Sequence, residues 1–453
     1  MDASWQSLPA WHNLLLEFTS SIVGTLFCLE LCGGMGTAVM CLSLMTPMAF
    51  IKSSGFFDID KAISFLPHLN SIHYEEGSLH IGPVHGNILN IPLHDFHDSH
   101  CVIAGPPCSP FSRRGLRKGF DDPRAAVFVK TMDIIIHLSL RESSKLMFFI
   151  LETSDEVMNS SSNSSCGEIH VNVIIQYLEG RLPREWRVSS SILVTQDFGS
   201  PQKRSRAYIL GTDTRYFKPG ILRQPFPRSI DACVPLSSLI SPFPPAGTTD
   251  TTPEWRINLQ QWKSRLKQYI ENQSFKGRVG IFDVCRHGDA RYGASFTIDV
   301  VPTVTASTQQ LYMISLGEGH NNGHSIDRLL SLDELALCQG FSPGALPLCV
   351  STTCKKRLIG NSMSPPVLSA LLGNLMSFLN ISRVDMDACS SPSSSRICPL
   401  DILTYIRHTA MRKHKINYHG YVYGFRNLAY LTFVSVFSIV EMFQVSRYER
   451  FIR

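Results

Sequence analysis

The chain lacks a long hydrophobic run, so a membrane-crossing helix is not expected. Leu428 to Val440 is largely apolar, but Glu441 closes it after about a dozen residues, short of the roughly 18 a span needs. It reads as a buried or interfacial helix. The start, Met1-Asp2-Ala3-Ser4-Trp5, has no basic residue, and Glu17 interrupts the first apolar stretch, so no secretory signal is expected. Internal repeats are absent. The 13 cysteines follow no regular framework, which fits a reducing compartment better than a secreted scaffold. Charge is also scarce, at 17% of residues against 44% hydrophobic, and this balance excludes a disordered chain. The formal net charge of +5 is compatible with a polyanionic partner without requiring one. At 453 residues there is room for two or three domains.

What is present is ordered alternation. Thr25 to Cys32 reads as an apolar strand running into Gly33-Gly34-Met35-Gly36 and then a helix-like run. His100 to Ala104 is a second short strand, ending in Gly105-Pro106-Pro107-Cys108. Val127 to Leu140 has helical spacing, and Leu146 to Leu151 is a strand ending at Glu152. Ser189 to Val194 and Ala207 to Gly211 suggest a further strand pair. Strands that end in reactive residues are the pattern of an open α/β sheet, which binds ligands at the carboxyl ends of its strands. From about Arg215 prolines crowd a segment of little periodicity, as in a separate loop-rich domain. Helical signals return at Leu329 to Gln339 and at Pro366 to Leu379, and a serine-rich break, Ser390 to Ser395, precedes a tail of different composition.

Glycines at 33, 34 and 36 let backbone turn tightly against a ligand at a helix amino terminus, although glycines also end strands for steric reasons alone. Asp58 and Asp60 follow, placed either to hydrogen-bond a ribose or to start a solvated helix. The run Gly105 to Ser112 is more specific. Two prolines stiffen a loop and hold Cys108 outward, whereas a structural cysteine sits within an apolar run. His94, His97 and His100, with Cys101, raise a metal site, but they lead into a buried strand, and a solvated turn with no metal is expected.

Six motifs in order, from about residue 25 to residue 380, resemble the cytosine-C5 methyltransferase family. They are Glu30-Leu31-Cys32-Gly33-Gly34-Met35-Gly36, Pro106-Pro107-Cys108, Gly119 to Arg124, Gln196 to Arg206 with its Gln-x-Arg-x-Arg, Glu334 to Phe341, and Gly360-Asn361-Ser362. The resemblance implies a Rossmann-like α/β domain that uses S-adenosyl-L-methionine, with a second, smaller target-recognition domain. It assigns Cys108 as the nucleophile on C6 of cytosine, and Glu152 as the carboxyl group that protonates N3. Arg204 and Arg206 fix the base through O2. Glu30, Leu31, Gly33, Gly34, Gly36, Asp58, Asn87, Pro106, Asn361 and Ser362 are expected around the cofactor, Asn87 accepting from the adenine amino group. Ser112, Arg113, Arg114, Arg117, Lys118, Arg124, Gln202 and Thr305 are expected to meet DNA.

Three positions depart from the family. Thr153 stands for an asparagine that holds loop geometry, Cys32 for a phenylalanine against the cofactor, and Ser109 for a glutamine after the nucleophile. They bear on rate more than on reaction type. The expected architecture is a catalytic domain over 1–212 rejoined by 346–382, a recognition domain over 213–345, and an extension over 383–453. The expected partner is double-stranded DNA bound by a monomer, in the nucleus of a eukaryote or otherwise in the cytoplasm. A tRNA cytosine-C5 methyltransferase shares the catalytic motifs, and an inactive DNA-binding relative is the other alternative. The tRNA enzymes carry Cys-Phe-Thr where this chain has Ser295-Phe296-Thr297, although Phe111 to Gly115 has some likeness to their loop.

Overall fold

The computed structural model describes residues 24–45, 49–58, 84–112, 118–159, 169–230, 233–240, 253–285, 296–305, 310–317, 326–341, 345–346 and 350–380. Contacts divide the chain into Met1–Ala388 and Cys389–Arg453, and every described residue belongs to the first unit. Asp60, Arg113, Arg114, Arg117, Ser295 and the extension from residue 383 lie outside the described residues. Among the described residues no helix is long and apolar enough to cross a membrane.

The main sheet has seven strands. They are β1 (Gly24–Leu31), β2 (Ala49–Asp58), β3 (Val84–His85), β4 (Cys101–Ala104), β5 (Phe148–Ser154), β6 (Trp186–Val194) and, after the short β7 (Gln202–Lys203), β8 (Ser205–Asp213). Their spatial order is β3-β2-β1-β4-β5-β8-β6. The first five are parallel, and β8 runs antiparallel between β5 and β6. The chain therefore lays β2 and β3 on one side of β1, then returns to place β4 and β5 on the other. That reversal opens a crevice above the carboxyl ends of β1 and β4, where a doubly wound sheet takes its ligand. Both Gly33 to Gly36 and Gly105 to Cys108 leave the sheet there.

Helices cover both faces of this sheet. Helix α1 (Thr37–Met45) follows β1, α2 (Ala126–Ser139) precedes β5, and α3 (His170–Glu179) precedes β6. All seven residues of β5 are buried, as two covered faces demand. Phe148 and Ile150 join one core, whereas Phe149 and Leu151 join the core that includes α2 and α3. The strand also runs two residues past Glu152, so that carboxylate sits within the sheet rather than at its tip.

The stretch read as loop-rich holds more structure than its sequence suggests. Helices α4 (Pro253–Arg265) and α5 (Lys267–Glu271) accompany a four-stranded antiparallel sheet in the order β10-β9-β12-β13. Its strands are β9 (Arg278–Asp283), β10 (Thr297–Ile298), β12 (Leu311–Leu316) and β13 (Asp327–Leu329). Its core is small, built on Trp262, Leu266, Ile270, Phe282 and Tyr312. Trp262, Leu266 and Ile270 recur every fourth residue as a thin apolar stripe that polar neighbours obscure in the sequence. Another two-residue strand, β11 (Val301–Pro302), leaves this sheet and pairs in parallel with β7. The remaining helices are α6 (Leu332–Gln339), α7 (Thr352–Asn361) and α8 (Pro365–Phe378). Residues 352–361 bury only Leu358 and Ile359, too few to announce α7 by periodicity.

Candidate active site

The loop after β1 is held open by backbone geometry. Cys32, Gly34 and Gly36 have φ of 53°, 56° and 68°, so three residues in five are left-handed. Asp58, at the end of β2, accepts the Gly34 N–H at 3.0 Å. Ser362 Oγ accepts the Met35 N–H at 2.8 Å and donates to Leu358 O at 2.6 Å. Glu30 was expected at the cofactor, but it is fully buried and its Oε1 accepts the Ala38 N–H at 3.1 Å. Its carboxylate thus satisfies the first turn of α1 from beneath the loop. Leu31 is equally enclosed, and its carbonyl accepts from Gly105 at 3.1 Å. Both support the loop from below. Asn87 is exposed, and its carbonyl oxygen already accepts the Leu89 N–H at 3.1 Å, capping a short 3-10 turn.

Gly34 offers a direct test of this loop. A Cβ there would stand 2.7 Å from Ser362 Oγ and 3.1 Å from Ser362 Cα. The left-handed backbone adds about 1–2 kcal/mol for any L side chain. Gly34→Ala is therefore expected to lower the thermal midpoint by a few degrees and to weaken S-adenosylhomocysteine binding, both readable in one thermal-shift titration.

The nucleophile loop is pinned at both ends. Pro106 is buried, Cys108 half-buried, and the Cys108 carbonyl accepts N–H groups of Phe111 and Ser112, each at 3.0 Å. Phe111 is buried edge-on against Phe120 and Phe128, with centroids 5.2 and 5.6 Å apart. The Gly119 N–H closes the far side on Pro110 O at 3.1 Å. A Cβ on Gly105 would lie 3.4 Å from Cys32 O and 3.7 Å from Glu152 Oε2, so the loops after β1 and β4 meet beside the carboxyl group of β5.

Glu152 is 6% exposed and takes both arginines on one oxygen. Arg204 Nη2 and Arg206 Nε each stand 3.4 Å from Glu152 Oε1. The two arginines differ in placement. Arg204 is 2% exposed and donates to the carbonyls of Val304, Gly360 and Ser362 at 3.3, 3.2 and 2.8 Å. Burial, then the Arg206 charge, push its pKa down, while the Glu152 carboxylate opposes them. Arg206 keeps 15% of its side chain exposed and can still reach a guest. A shared reading of both as base contacts thus divides, with Arg204 joining four segments and Arg206 facing outward. Thr153 is fully buried, and its hydroxyl has no hydrogen-bond partner among the described residues.

The described residues expected to meet DNA are placed in different ways. Ser112 is half-buried and Lys118 exposed beside the nucleophile loop. Arg124 is half exposed but already bidentate to Asp122, at 2.9 and 2.5 Å, and that pair draws the Asp122 carboxyl down to about 2. Gln202 is fully buried with Nε2 3.5 Å from Gln339 Oε1, so it does not present its side chain to a nucleic acid. Thr305 is half-buried and follows Val304, whose carbonyl Arg204 holds. Thr303 Oγ1 donates to Lys203 O at 2.7 Å, so this segment is stitched along β7 to the arginines.

His100 is a core residue. It is buried, stacks on Phe27 at 5.5 Å and accepts the Phe27 N–H on Nδ1 at 3.0 Å. No group of three metal-ligating side chains occurs among the described residues.

A family model described as C-5 cytosine-specific DNA methylase matches residues 29–377. Type II methyltransferase M.NlaX of Neisseria lactamica is 23% identical over 295 residues, spanning 65% of this chain and 82% of that protein. Type II methyltransferase M.HaeII of Haemophilus aegyptius is 25% identical over 302 residues, spanning 65% and 80%. The crystal structure of S. pombe Dnmt2 methyltransferase aligns over 78% of this chain and 98% of its own, at 20% identity and a TM-score of 0.45.

Proposed function

The chain belongs to the C-5 cytosine-specific DNA methylase family, and from that premise we propose that it methylates C5 of cytosine in duplex DNA from S-adenosylmethionine. The observation that carries this reading is the meeting of two loops and one strand carboxylate at a single point. The loops after β1 and β4 close on Glu152 within the crevice of the sheet.

The residues present fit the cofactor. The left-handed loop, packed at Gly34 against Ser362 and tied to Asp58, is the kind of glycine turn that lets backbone approach a ligand at a strand end. Gly33, Gly34, Gly36, Asp58, Asn87, Pro106 and Asn361 would surround it. At Cys32 burial pushes the thiol up to about 12 and keeps it neutral, so a small apolar group stands where the family has a phenyl ring. When bound, the cofactor supplies an electrophilic methyl group.

C5 of cytosine is a poor nucleophile until C6 is attacked. The Cys108 thiolate forms a bond to C6, and the displaced electron pair makes the ring an enamine. Glu152, having taken up a proton as the base binds, delivers it to N3, which drains charge from the ring as sulfur adds. Arg206 donates to O2 and Arg204 keeps Glu152 in place. Once C5 carries the methyl group, the C5 proton passes to solvent, its bonding pair forms the C5–C6 double bond, and the sulfur–C6 pair returns to sulfur, which restores the aromatic ring and the thiolate. Glu152 then takes back the N3 proton. None of this can happen within a base stack, so the cytosine must swing out of the duplex.

DNA would lie between the catalytic part, 1–212 with 346–382, and a recognition domain, 213–345, that contains the four-stranded sheet. Lys118, Ser112 and Thr305 are the described residues proposed to contact it, with Arg113, Arg114 and Arg117 nearby in sequence. The chain would act as a monomer, in the nucleus if its host is eukaryotic and in the cytoplasm otherwise.

Side-by-side incubation of duplex DNA and unmodified tRNA with labelled S-adenosylmethionine tests the reading, with Cys108→Ala protein as control. Label is expected in 5-methylcytosine of the DNA. Cys108-dependent label in tRNA alone would overturn the substrate while keeping the chemistry, and no label in either would overturn catalysis.

A further inference from the structure

Gln339 ends α6 and is fully buried, yet every polar atom of its amide is directed at another segment. Nε2 donates to Ile359 O at 3.0 Å and to Ser362 O at 3.1 Å, and Oε1 lies 3.5 Å from Gln202 Nε2. At the end of α7 the Ile359 carbonyl takes the N–H of its cap residue Ser362 at 3.3 Å, and in this dry position Gln339 adds a second bond to that carbonyl and one to Ser362 O. Its approach is set from the other end of α6. There Ser331 and Glu334 cap one another at 3.2 and 2.9 Å, and Arg328 grips Glu334 with two bonds, of 2.9 and 2.6 Å.

Ser362, the residue so held, faces two ways. Its hydroxyl takes the Met35 N–H of the glycine loop. Its carbonyl takes Arg204 Nη2 as well as Gln339, and the same Arg204 nitrogen reaches Glu152. A shift of Ser362 must therefore be felt at the glycine loop and at the Glu152 carboxylate together.

We propose that Gln339 is a positioning residue that makes cofactor binding and cytosine binding cooperate, through Ser362. The inference rests on reading the glycine loop as the cofactor site and Glu152 as the partner of the base. It concerns binding, so it can be measured without turnover.

The test is a thermodynamic cycle on the full chain. The dissociation constant of S-adenosylhomocysteine is measured with and without a cytosine-containing duplex, and that of the duplex with and without S-adenosylhomocysteine. In the wild type each ligand is expected to tighten the other by the same factor, about tenfold. Gln339→Met keeps the bulk and deletes the amide, and should bring that factor close to one. A purely structural role would lower the melting temperature and leave the factor unchanged. If Gln339→Met does not fold, Ser362→Ala reads the same relay by removing its Met35 bond, and should also abolish the coupling. A wild-type factor of one, or a folded variant of either kind that keeps the wild-type factor, would overturn the inference. Failure of the wild type to bind S-adenosylhomocysteine at all would instead remove the cofactor reading, and the inference with it.

Discussion

Duplex DNA in which the target cytosine carries fluorine at C5 is expected to become covalently fixed to Cys108 and to stay attached through denaturation. The reaction ends by removing a proton from C5 and releasing sulfur from C6. Fluorine cannot leave as a cation, so the sulfur–carbon bond persists after methyl transfer. Cys108 suits this role because its carbonyl anchors two N–H groups at 3.0 Å, while Pro106 is buried and Gly105 is packed beside Cys32 and Glu152. The thiol is thus held on a stiff loop and remains half-buried rather than enclosed. Mass spectrometry of the denatured adduct should place the base on the peptide that contains Cys108. Cys108→Ala should form no adduct and lose turnover by roughly four or more orders of magnitude, the scale on which loss of a covalent nucleophile acts. A wild type that methylates ordinary DNA but never traps the fluorinated duplex would rule out addition at C6.

Replacing Glu152 with glutamine should slow methylation by roughly two or more orders of magnitude, the usual contribution of a positioned proton donor. Glutamine keeps the shape but cannot deliver a proton to N3. It also removes the negative charge that Arg204 and Arg206 share at 3.4 Å, leaving two cations side by side in a largely dry site. The melting temperature should therefore fall as well, and single-turnover rates must be read on protein shown to be folded. Binding of S-adenosylhomocysteine in the absence of DNA should survive, since neither Asp58 nor the glycine loop bonds directly to this carboxylate, which connects to that loop through Arg204 and Ser362. Near-normal turnover by the variant would show the carboxyl group to be idle. That outcome would matter for this chain in particular, because the neighbouring Thr153 replaces an asparagine and its buried hydroxyl is left unpartnered among the described residues.

Local chemistry was legible in the residues alone. Glycines after a strand, two prolines before a cysteine, and a Gln-x-Arg-x-Arg run each declare a backbone shape or a reactive group within a few positions. Strands β1, β4, β5, β6 and β8 and helix α2 were readable for the same reason, since periodicity is a local property, whereas β2, β3 and α3 were not marked in it. The order of the motifs then pointed to the family and to its reaction. Partners distant in the chain were not legible. Arg204 and Arg206 look equivalent in sequence, yet one joins carbonyls at positions 304, 360 and 362 while the other keeps an exposed edge. Glu30 and Gln202 belong to binding motifs but are enclosed, and Gln339 shows no sign in sequence of the contacts it makes 20 and 23 residues away. The strands β10, β11 and β13, two or three residues each, carry no periodicity of their own. Residue type and spacing therefore determined which chemistry this protein can perform and in what order its parts occur. Only the tertiary structure decided which side chains face a guest and which hold the site together. A buried polar group takes whatever partner the packing brings to it, and that choice depends on segments remote in the chain.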